Sequence, residues 1–195
     1  MAFDLEADEV RELRQKYEGR NPQPERVIGI AEKIQDEYID GRSAVVGGIT
    51  TYKGIQSTKT RRDLSPSVDL VVDSADFEAL GEEYDSWEYA GAYFADVDDV
   101  EIAVIPIREF QMFNFPSSVV EESYLQEVEG SELRIGEPES NFVSKFNRVV
   151  ETAKGESEVE KGSDIIDSAS HLHWGKVEDG MDIRKASRMA REHVE

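Results

Sequence analysis

Two short apolar runs, the first of them inside a segment of 22 residues without carboxylates, constrain the fold of this chain more than any other feature. The first run is Ala44-Val45-Val46, which ends in Gly47-Gly48, and the second is Val68-Asp69-Leu70-Val71-Val72. Runs of this length, rich in β-branched residues and bounded by turn residues, predict two buried strands. Because an unpaired carboxylate is costly inside a core, Asp69 indicates a functional site, although it could also point to solvent from a one-sided sheet.

The segment that contains the first predicted strand and most of the loop after it is basic. From Gly41 to Arg62 no acidic residue occurs, although 43 of the 195 residues are Asp or Glu and 22 residues at that frequency would hold about five. The basic residues of this window are Arg42, Lys53, Lys59, Arg61 and Arg62. Glycine N–H groups at a strand end and arginine side chains both bind phosphate oxygens. The window therefore predicts an anion site, and the alternative is that Gly47-Gly48 forms only a tight turn.

Net charge is the second constraint. The 43 acidic and 22 basic residues give a formal charge of -21, which is spread along the chain. This balance is typical of a protein that stays hydrated in concentrated salt, so a halophilic host is the favoured explanation over an acidic protein that mimics or repels nucleic acid. The same charge argues against nonspecific DNA binding, which needs clustered Lys and Arg.

The sequence contains no cysteine, and neither a signal-peptide pattern nor a membrane-spanning apolar run is visible in it. Without cysteine, disulfides and thiolate metal sites are excluded. The acidic start MAFDLEADEV is unlike a signal peptide, and no apolar run approaches the roughly 20 residues that cross a bilayer. We therefore expect a cytoplasmic protein without membrane contact.

Hydrophobic periodicity divides the chain into three parts, which we expect to form one compact unit. Residues 1–42 predict N-terminal helices, residues 43–115 a core with a small mixed β-sheet, and residues 116–195 a helical C-terminal part. The expected fold class is therefore α+β, with a small mixed sheet flanked by helices.

The same patterns predict individual elements. Strands are expected at 43–46 and 67–73 and in a hairpin from Trp87 through Ile107. A brief helical or turn segment is expected at 49–52. Helices are expected at 4–18, from Pro24 to Gly41, at 76–81 with Ser74 as a possible cap, from a Ser118 cap to Glu129, and from about Pro138 onward.

These motifs resemble the minimal nucleotidyltransferases of the DNA polymerase beta superfamily, and within it the AbiEii-type branch. The segment from Ala44 to Thr50 is similar to the family's strand and Gly-Gly motif, and Ser67–Val72 is similar to its Asp-x-Asp strand. Val100-Glu101-Ile102 is similar to the strand that carries the third carboxylate. Glu137-Pro138-Glu139, followed by Lys145, resembles a helix opening and a lysine found after the core.

The resemblance, which spans roughly residues 43–172, implies a nucleotidyltransferase fold and a magnesium-dependent transfer of a nucleotidyl group from a nucleoside triphosphate to a protein or tRNA acceptor. A toxin of a toxin–antitoxin pair is one form, so an antitoxin or an assembly partner is expected. Positions i and i+2 of a strand share a face, so carboxylates there and on an adjacent strand can hold Mg²⁺. The implied metal ligands are Asp69 and Glu101, and the implied nucleotide-binding residues are Gly47, Gly48, Ser67, Arg61, Arg62 and Lys145.

One position departs from the family pattern, because Ser67 stands where the first Asp is expected. Serine is a weak, neutral ligand for magnesium, so Asp69 and Glu101 are the only two aligned carboxylates, unless Asp63 folds back to complete the set. Two interpretations stay open: an active enzyme, or a degenerate nucleotidyltransferase fold that acts as a nucleotide-binding, regulatory or structural assembly protein. For Lys145, the alternative to a nucleotide contact is a solvated helix position.

The charge imbalance leads to a stability prediction. Self-repulsion among 43 acidic residues should be screened by added salt, over about 10 Å at 0.1 M and about 3 Å at 1 M. We expect the melting temperature to rise steeply from low to molar KCl, as measured by circular dichroism. An unchanged melting temperature would remove the argument for a halophilic host.

Overall fold

Within the described residues, an eight-stranded mixed β-sheet forms the centre of the fold. The structure is a computed structural model that describes residues 3–4, 15, 22–56, 64, 67–89, 91–107, 119–144 and 146. The strands are β1 Phe3–Asp4, β2 Ser43–Val46, β3 Ser67–Val72, β4 Asp85–Tyr89, β5 Ala92–Val97, β6 Val100–Pro106, β7 Tyr124–Val128 and β8 Ser131–Ile135. Their order across the sheet is β1-β4-β5-β6-β3-β2-β8-β7.

Strand directions make the sheet mixed, as predicted. The pairs β1–β4, β3–β6 and β2–β8 are parallel, whereas β2–β3, β4–β5, β5–β6 and β7–β8 are antiparallel. The expected α+β class is therefore confirmed. The sheet has more strands than residues 43–115 supply, because residues after 116 add two strands to it.

Three helices have bounds in the described residues: α1 Pro24–Tyr38, α2 Gly48–Gln56 and α3 Phe77–Glu83. Proline suits the first turn of α1, since its missing N–H would have no helical partner there. Helices α1 and α3 pack Ile28, Ile34 and Leu80 against one side of the sheet, which we call the helix face. Val45 and Leu70 lie on that face, so the predicted amphipathic pattern of α1 directs its apolar side onto two central strands.

The predicted helix from Ser118 to Glu129 is wrong over its described part, because residues 124–135 form the β7–β8 hairpin. Glu129 and Gly130 have φ values of 47° and 84°, as a two-residue type I′ turn requires. Side chains of β7 alternate, and Leu125 is exposed while Val128 is buried. Strand β8 then pairs Ile135 with Val45, so burial against β2 overrides the local helical pattern.

Smaller differences occur at other boundaries. Phe3–Asp4 forms a strand beside β4 where a helix was expected to begin, and the rest of the 4–18 prediction, apart from the helical Gln15, lies outside the described residues. Helix α2 is longer than the predicted 49–52 segment. Helix α3 is capped by Asp76, which accepts the N–H of Ala79 at 3.0 Å, in place of Ser74. Residues 138–144 are helical, as predicted.

No helix in the described ranges is long and apolar enough to cross a membrane.

A polar cluster ties α1 to α3 on the helix face. Lys33 Nζ lies 3.1 Å from Glu83 Oε1 and donates to the Tyr84 hydroxyl at 2.5 Å. The Tyr38 hydroxyl donates to the other Glu83 oxygen. These donors, Tyr38 first, lower the pKa of Glu83 from 4.5 to about 2. Hydrogen bonds to Tyr84 and Glu83 raise the pKa of Lys33, and burial raises that of Tyr38.

The lowered pKa of Glu83 predicts how acid affects stability. A carboxyl whose pKa is depressed in the folded state stabilises it above the unfolded pKa of 4.5, and this contribution is lost as pH falls toward about 2. We expect Glu83→Gln to lower the urea midpoint at about pH 6, with the difference from wild type shrinking toward about pH 2. Glu82→Gln, an exposed neighbour with the same charge change, is the control. A difference that is independent of pH would contradict the prediction.

Candidate functional site

The glycine turn between β2 and α2 is the tightest backbone feature of the site. Gly47 has φ = 67°, a left-handed conformation that glycine adopts without strain, and α2 begins at Gly48. An added Cβ at Gly47 would lie 3.2 Å from Asp69 Cγ and closer still to Asp69 Oδ2. The carboxylate of Asp69 therefore packs directly against the turn, and only glycine leaves room for it.

Strand register brings the three predicted strand residues to one face. Ser67 of β3 pairs with Glu101 of the parallel neighbour β6, and Asp69 pairs with Ala103 two positions further along. Directly opposed residues and residues two apart share a face, so Ser67, Asp69 and Glu101 all lie on the side opposite the helix face. We call this side the site face. Ser67 and Asp69 are half-buried, and Glu101 is 8% exposed.

Sequence reasoning missed two further carboxylates on the site face, Asp85 and Asp96. Asp96 of β5 pairs directly with Glu101, and Asp85 of β4 pairs with Asp96, so a row of three acids leads across the sheet to Ser67. The sequence signal that could have found Asp96 is the Asp98-Asp99 turn between β5 and β6. Asp98 and Asp99 both have positive φ, and a two-residue turn of this kind fixes Val97 opposite Val100 and hence Asp96 opposite Glu101.

The basic residues of the acid-free window do not all belong to the site. Arg42 lies at the other end of β2, where its Nε is 2.8 Å from Asp73 Oδ2 and its Nη1 is 3.9 Å from Glu121 Oε1. Lys53 lies in the last turn of α2. The predicted anion contacts Arg61, Arg62 and Lys145, and the predicted replacement carboxylate Asp63, lie outside the described residues.

The donor atoms of the site suit a hard cation. Asp69 and Glu101 supply carboxylate oxygens and Ser67 a hydroxyl, which are the ligand types that Mg²⁺ prefers. Within the described ranges, no group of three or more His, Cys, Asp or Glu side chains is close enough to hold a metal ion by itself. The residues therefore fit magnesium that also takes oxygens from a bound phosphate or water, as Mg²⁺ usually does.

Two open clefts lie away from these residues. One has a volume of about 260 Å³ and is lined by Val72, Asp73 and Phe77 among others. The second shares Phe77 and Pro106 with it and also borders Glu88. The first lies at the carboxyl ends of β3 and β6 and the second at the carboxyl end of β6, whereas Ser67 and Glu101 lie at the amino ends of these strands. Neither cleft contains a predicted site residue.

Two solved structures are similar to this chain at low sequence identity. No family model matches the chain, and no curated protein sequence matches it. An antigenic nucleotidyltransferase-like protein from Paracoccidioides brasiliensis is similar in structure with a TM-score of 0.49 and 13% identity, covering 85% of each chain. The antibiotic-resistance factor ANT(2'')-Ia is similar with a TM-score of 0.48 and 12% identity, covering 88% of this chain and 91% of that chain.

The fit between Gly47 and Asp69 predicts the effect of adding one methyl group. Gly47→Ala places a side chain in left-handed backbone, at a cost of roughly 1–2 kcal/mol, and also displaces the Asp69 carboxylate. We expect urea denaturation to show destabilisation by at least that amount. In Gly29→Ala, the added Cβ has no heavy atom within 4 Å, so this helical control should gain about 0.5–1 kcal/mol.

A second substitution separates the clash with Asp69 from the cost of left-handed backbone in Gly47→Ala. Asp69→Ala in the Gly47→Ala background should recover stability, because it removes the atoms that the new Cβ meets. Simple addition of the two single effects would contradict the observed packing of Asp69 against Gly47.

Proposed function

We propose that this chain is a nucleotidyltransferase that transfers a nucleotidyl group from a nucleoside triphosphate to an acceptor. One observation carries the proposal: Asp69 and Glu101 share a face on neighbouring strands, and the Asp69 carboxylate lies against the Gly47 turn. Carboxylates beside a glycine turn unite cation ligands and phosphate-binding N–H groups in one place. The resemblance of both strands to the DNA polymerase beta superfamily supports the same function and the same fold.

The phosphate side of the site would be built by the turn and by α2. The N-terminal N–H groups of a helix point away from it and carry partial positive charge, so they attract anions. Helix α2 is nine residues long, begins at Gly48 and has no acidic residue in its first turn. Without a side chain on Gly47 or Gly48, a triphosphate can approach these N–H groups closely. Arg61, Arg62 and Lys145 would supply the remaining positive charge.

The carboxylates would serve the cation and the acceptor. Asp69 and Glu101 would hold Mg²⁺, which when bound supplies charge stabilisation to the attacked phosphorus and the leaving pyrophosphate. Asp69 Oδ2, the carboxylate oxygen nearest the glycine turn, would accept the proton of an acceptor hydroxyl. Buried Glu101 is held by its strand beside Ser67, whose neutral hydroxyl adds an oxygen without charge.

The proposal extends to the acceptor, the biological role and the host. The acceptor is a protein or tRNA, and the AbiEii-type branch suggests a toxin with a cognate antitoxin. The charge of -21 supports a halophilic host and a cytoplasmic location in concentrated salt.

A second candidate function is a catalytically degenerate protein that binds nucleotide or acts as an assembly subunit. Ser67 favours it, because the position that would carry a second charge on β3 is neutral. Two carboxylates supply two negative charges, whereas a pair of magnesium ions carries four positive ones. In this case the triphosphate brings its own magnesium, and nucleotide binds without efficient transfer.

Restoring the missing acid distinguishes the two candidates. In calorimetric titrations with a nonhydrolysable nucleoside triphosphate in molar KCl, Ser67→Asp should tighten magnesium binding about tenfold, because it adds one charge to the donor set. The same variant should raise transfer of radioactive nucleotide onto protein or tRNA. Asp69→Asn should lower both by more than about 100-fold, the upper end of losses at supporting groups. Glu127→Gln, exposed on β7, is the matched charge control.

The outcomes separate the hypotheses. Efficient transfer by wild type with no effect of Ser67→Asp would indicate that another carboxylate, with Asp63 as the predicted one, completes the site. Nucleotide binding without transfer in wild type and gain of transfer in Ser67→Asp would support the degenerate protein. Failure of wild type and Ser67→Asp to bind any of the four nucleotides would leave only a scaffold.

A further inference from the structure

Two buried polar side chains connect the glycine turn to the 138–144 helical segment. Thr50 is 0% exposed and Asn141 is 1% exposed. Thr50 Oγ1 lies 2.9 Å from Asn141 Oδ1 and 3.0 Å from the carbonyl oxygen of Gly47. The two residues are 91 positions apart in the sequence, so this contact joins the start of α2 to a part of the chain beyond β8.

The hydrogen bonds of Asn141 decide where the hydroxyl proton goes. Its Nδ2 donates to the carbonyl oxygens of Gly136 at 2.9 Å and Glu137 at 3.0 Å. This fixes the amide orientation and leaves Oδ1 as an acceptor. Thr50 has one hydroxyl proton to donate. The carbonyl oxygen of Gly47 already accepts the N–H of Thr51 at 3.0 Å, so this oxygen has a donor without Thr50. The Thr50 hydroxyl therefore donates to Asn141 Oδ1.

Gly136, which accepts from Asn141, is also hydrogen-bonded to strand β2. The N–H of Gly136 donates to the carbonyl oxygen of Val45 at 2.9 Å, which continues the β2–β8 pairing toward the turn. An added Cβ at Gly136 would lie 3.1 Å from Asn141 Nδ2 and 3.3 Å from Val46 Cγ1. Asn141 and Val46 of β2 therefore both pack closely against Gly136, and the glycine turn follows directly after Val46.

We infer that Thr50 and Asn141 form a positioning pair, which holds the Gly47–Gly48 turn in the geometry that binds phosphate. The inference rests on the proposed function, since it takes the turn as the phosphate side of the site. Buried polar pairs of this kind add little stability over apolar residues of the same shape, but they fix one arrangement of the groups they join. Nucleotide affinity should therefore depend on two side chains that the nucleotide does not touch.

The first test compares hydroxyl variants of Thr50 by calorimetric titration with a nonhydrolysable nucleoside triphosphate and magnesium, well below each variant's melting temperature. Thr50→Val keeps the shape but loses the donor, and we expect about tenfold weaker binding, corresponding to one lost hydrogen bond of about 1.4 kcal/mol. Thr50→Ser keeps the hydroxyl and should restore most of the affinity. Asn141→Ala should weaken binding similarly, and the double variant should lose little more than either single variant.

Ser140→Ala is the matched control. Ser140 precedes Asn141, is 0% exposed, and its Oγ has no hydrogen-bond partner within the described part of the chain. Removing this hydroxyl changes the same segment without touching the Thr50–Asn141 pair, so affinity should stay at the wild-type value. Loss of affinity in this control equal to that in Thr50→Val would overturn the inference in favour of general disturbance of the segment.

The second test needs no nucleotide. The N–H of Thr51 donates to the carbonyl oxygen of Gly47, so its hydrogen exchange reports on the turn. In Thr50→Val we expect exchange at Thr51 to accelerate at least about tenfold relative to amides of β6, with no such change in Ser140→Ala. Equal acceleration at all amides would indicate only global destabilisation and overturn the inference, as would no acceleration at Thr51.

The two tests separate this inference from the proposed function. If wild type binds no nucleotide while Thr51 exchange responds as expected, the proposed function fails and the pair still holds the turn. If wild type binds nucleotide and Thr50→Val binds it equally well, the proposed function stands and the positioning role is wrong.

Discussion

The contact between Asp69 and Gly47 is the constraint on which the site depends. Asp69 is held by β3, and Gly47 follows β2, so the contact exists only because these strands pair with Val46 opposite Asp69. The left-handed backbone at Gly47 then turns the chain into α2 without placing a side chain on the carboxylate. The β2–β3 pairing, the glycine at position 47 and the carboxylate of Asp69 therefore depend on one another. The same turn also starts helix α2 at Gly48.

Local patterns in the sequence were sufficient for the centre of the sheet. β-Branched runs bounded by turn residues predicted β2, β3 and the end of β6, and the i, i+2 rule placed Ser67 and Asp69 on one face. The pairing of β3 with β6 came only from the family resemblance, because parallel strands far apart in sequence leave no local trace of their partner. Its observed register brings Glu101 beside Ser67.

Features that depend on distant contacts could not be predicted. The segment from Val119 to Val128 has helical spacing of apolar residues, yet Tyr124–Val128 forms a strand of the sheet, because its partner β8 can bury Ile135 beside Val45. Asn141 resembles any polar residue of a helix in the sequence, and its role at Thr50 exists only in the folded chain. The propensity differences between helix and strand are small enough for such tertiary burial to decide the outcome.

The β5–β6 hairpin has a consequence for how this site can change. The turn has only two residues between paired Val97 and Val100, and Arg26 of α1 also donates to the carbonyl oxygen of Asp98 at 2.6 Å. Because successive side chains of a strand alternate, a one-residue change in the length of this turn would exchange the faces of Asp96 and Glu101 relative to each other. Substitutions that tolerate left-handed backbone would leave both in place. The site is therefore more sensitive to the number of residues between 96 and 101 than to their identity.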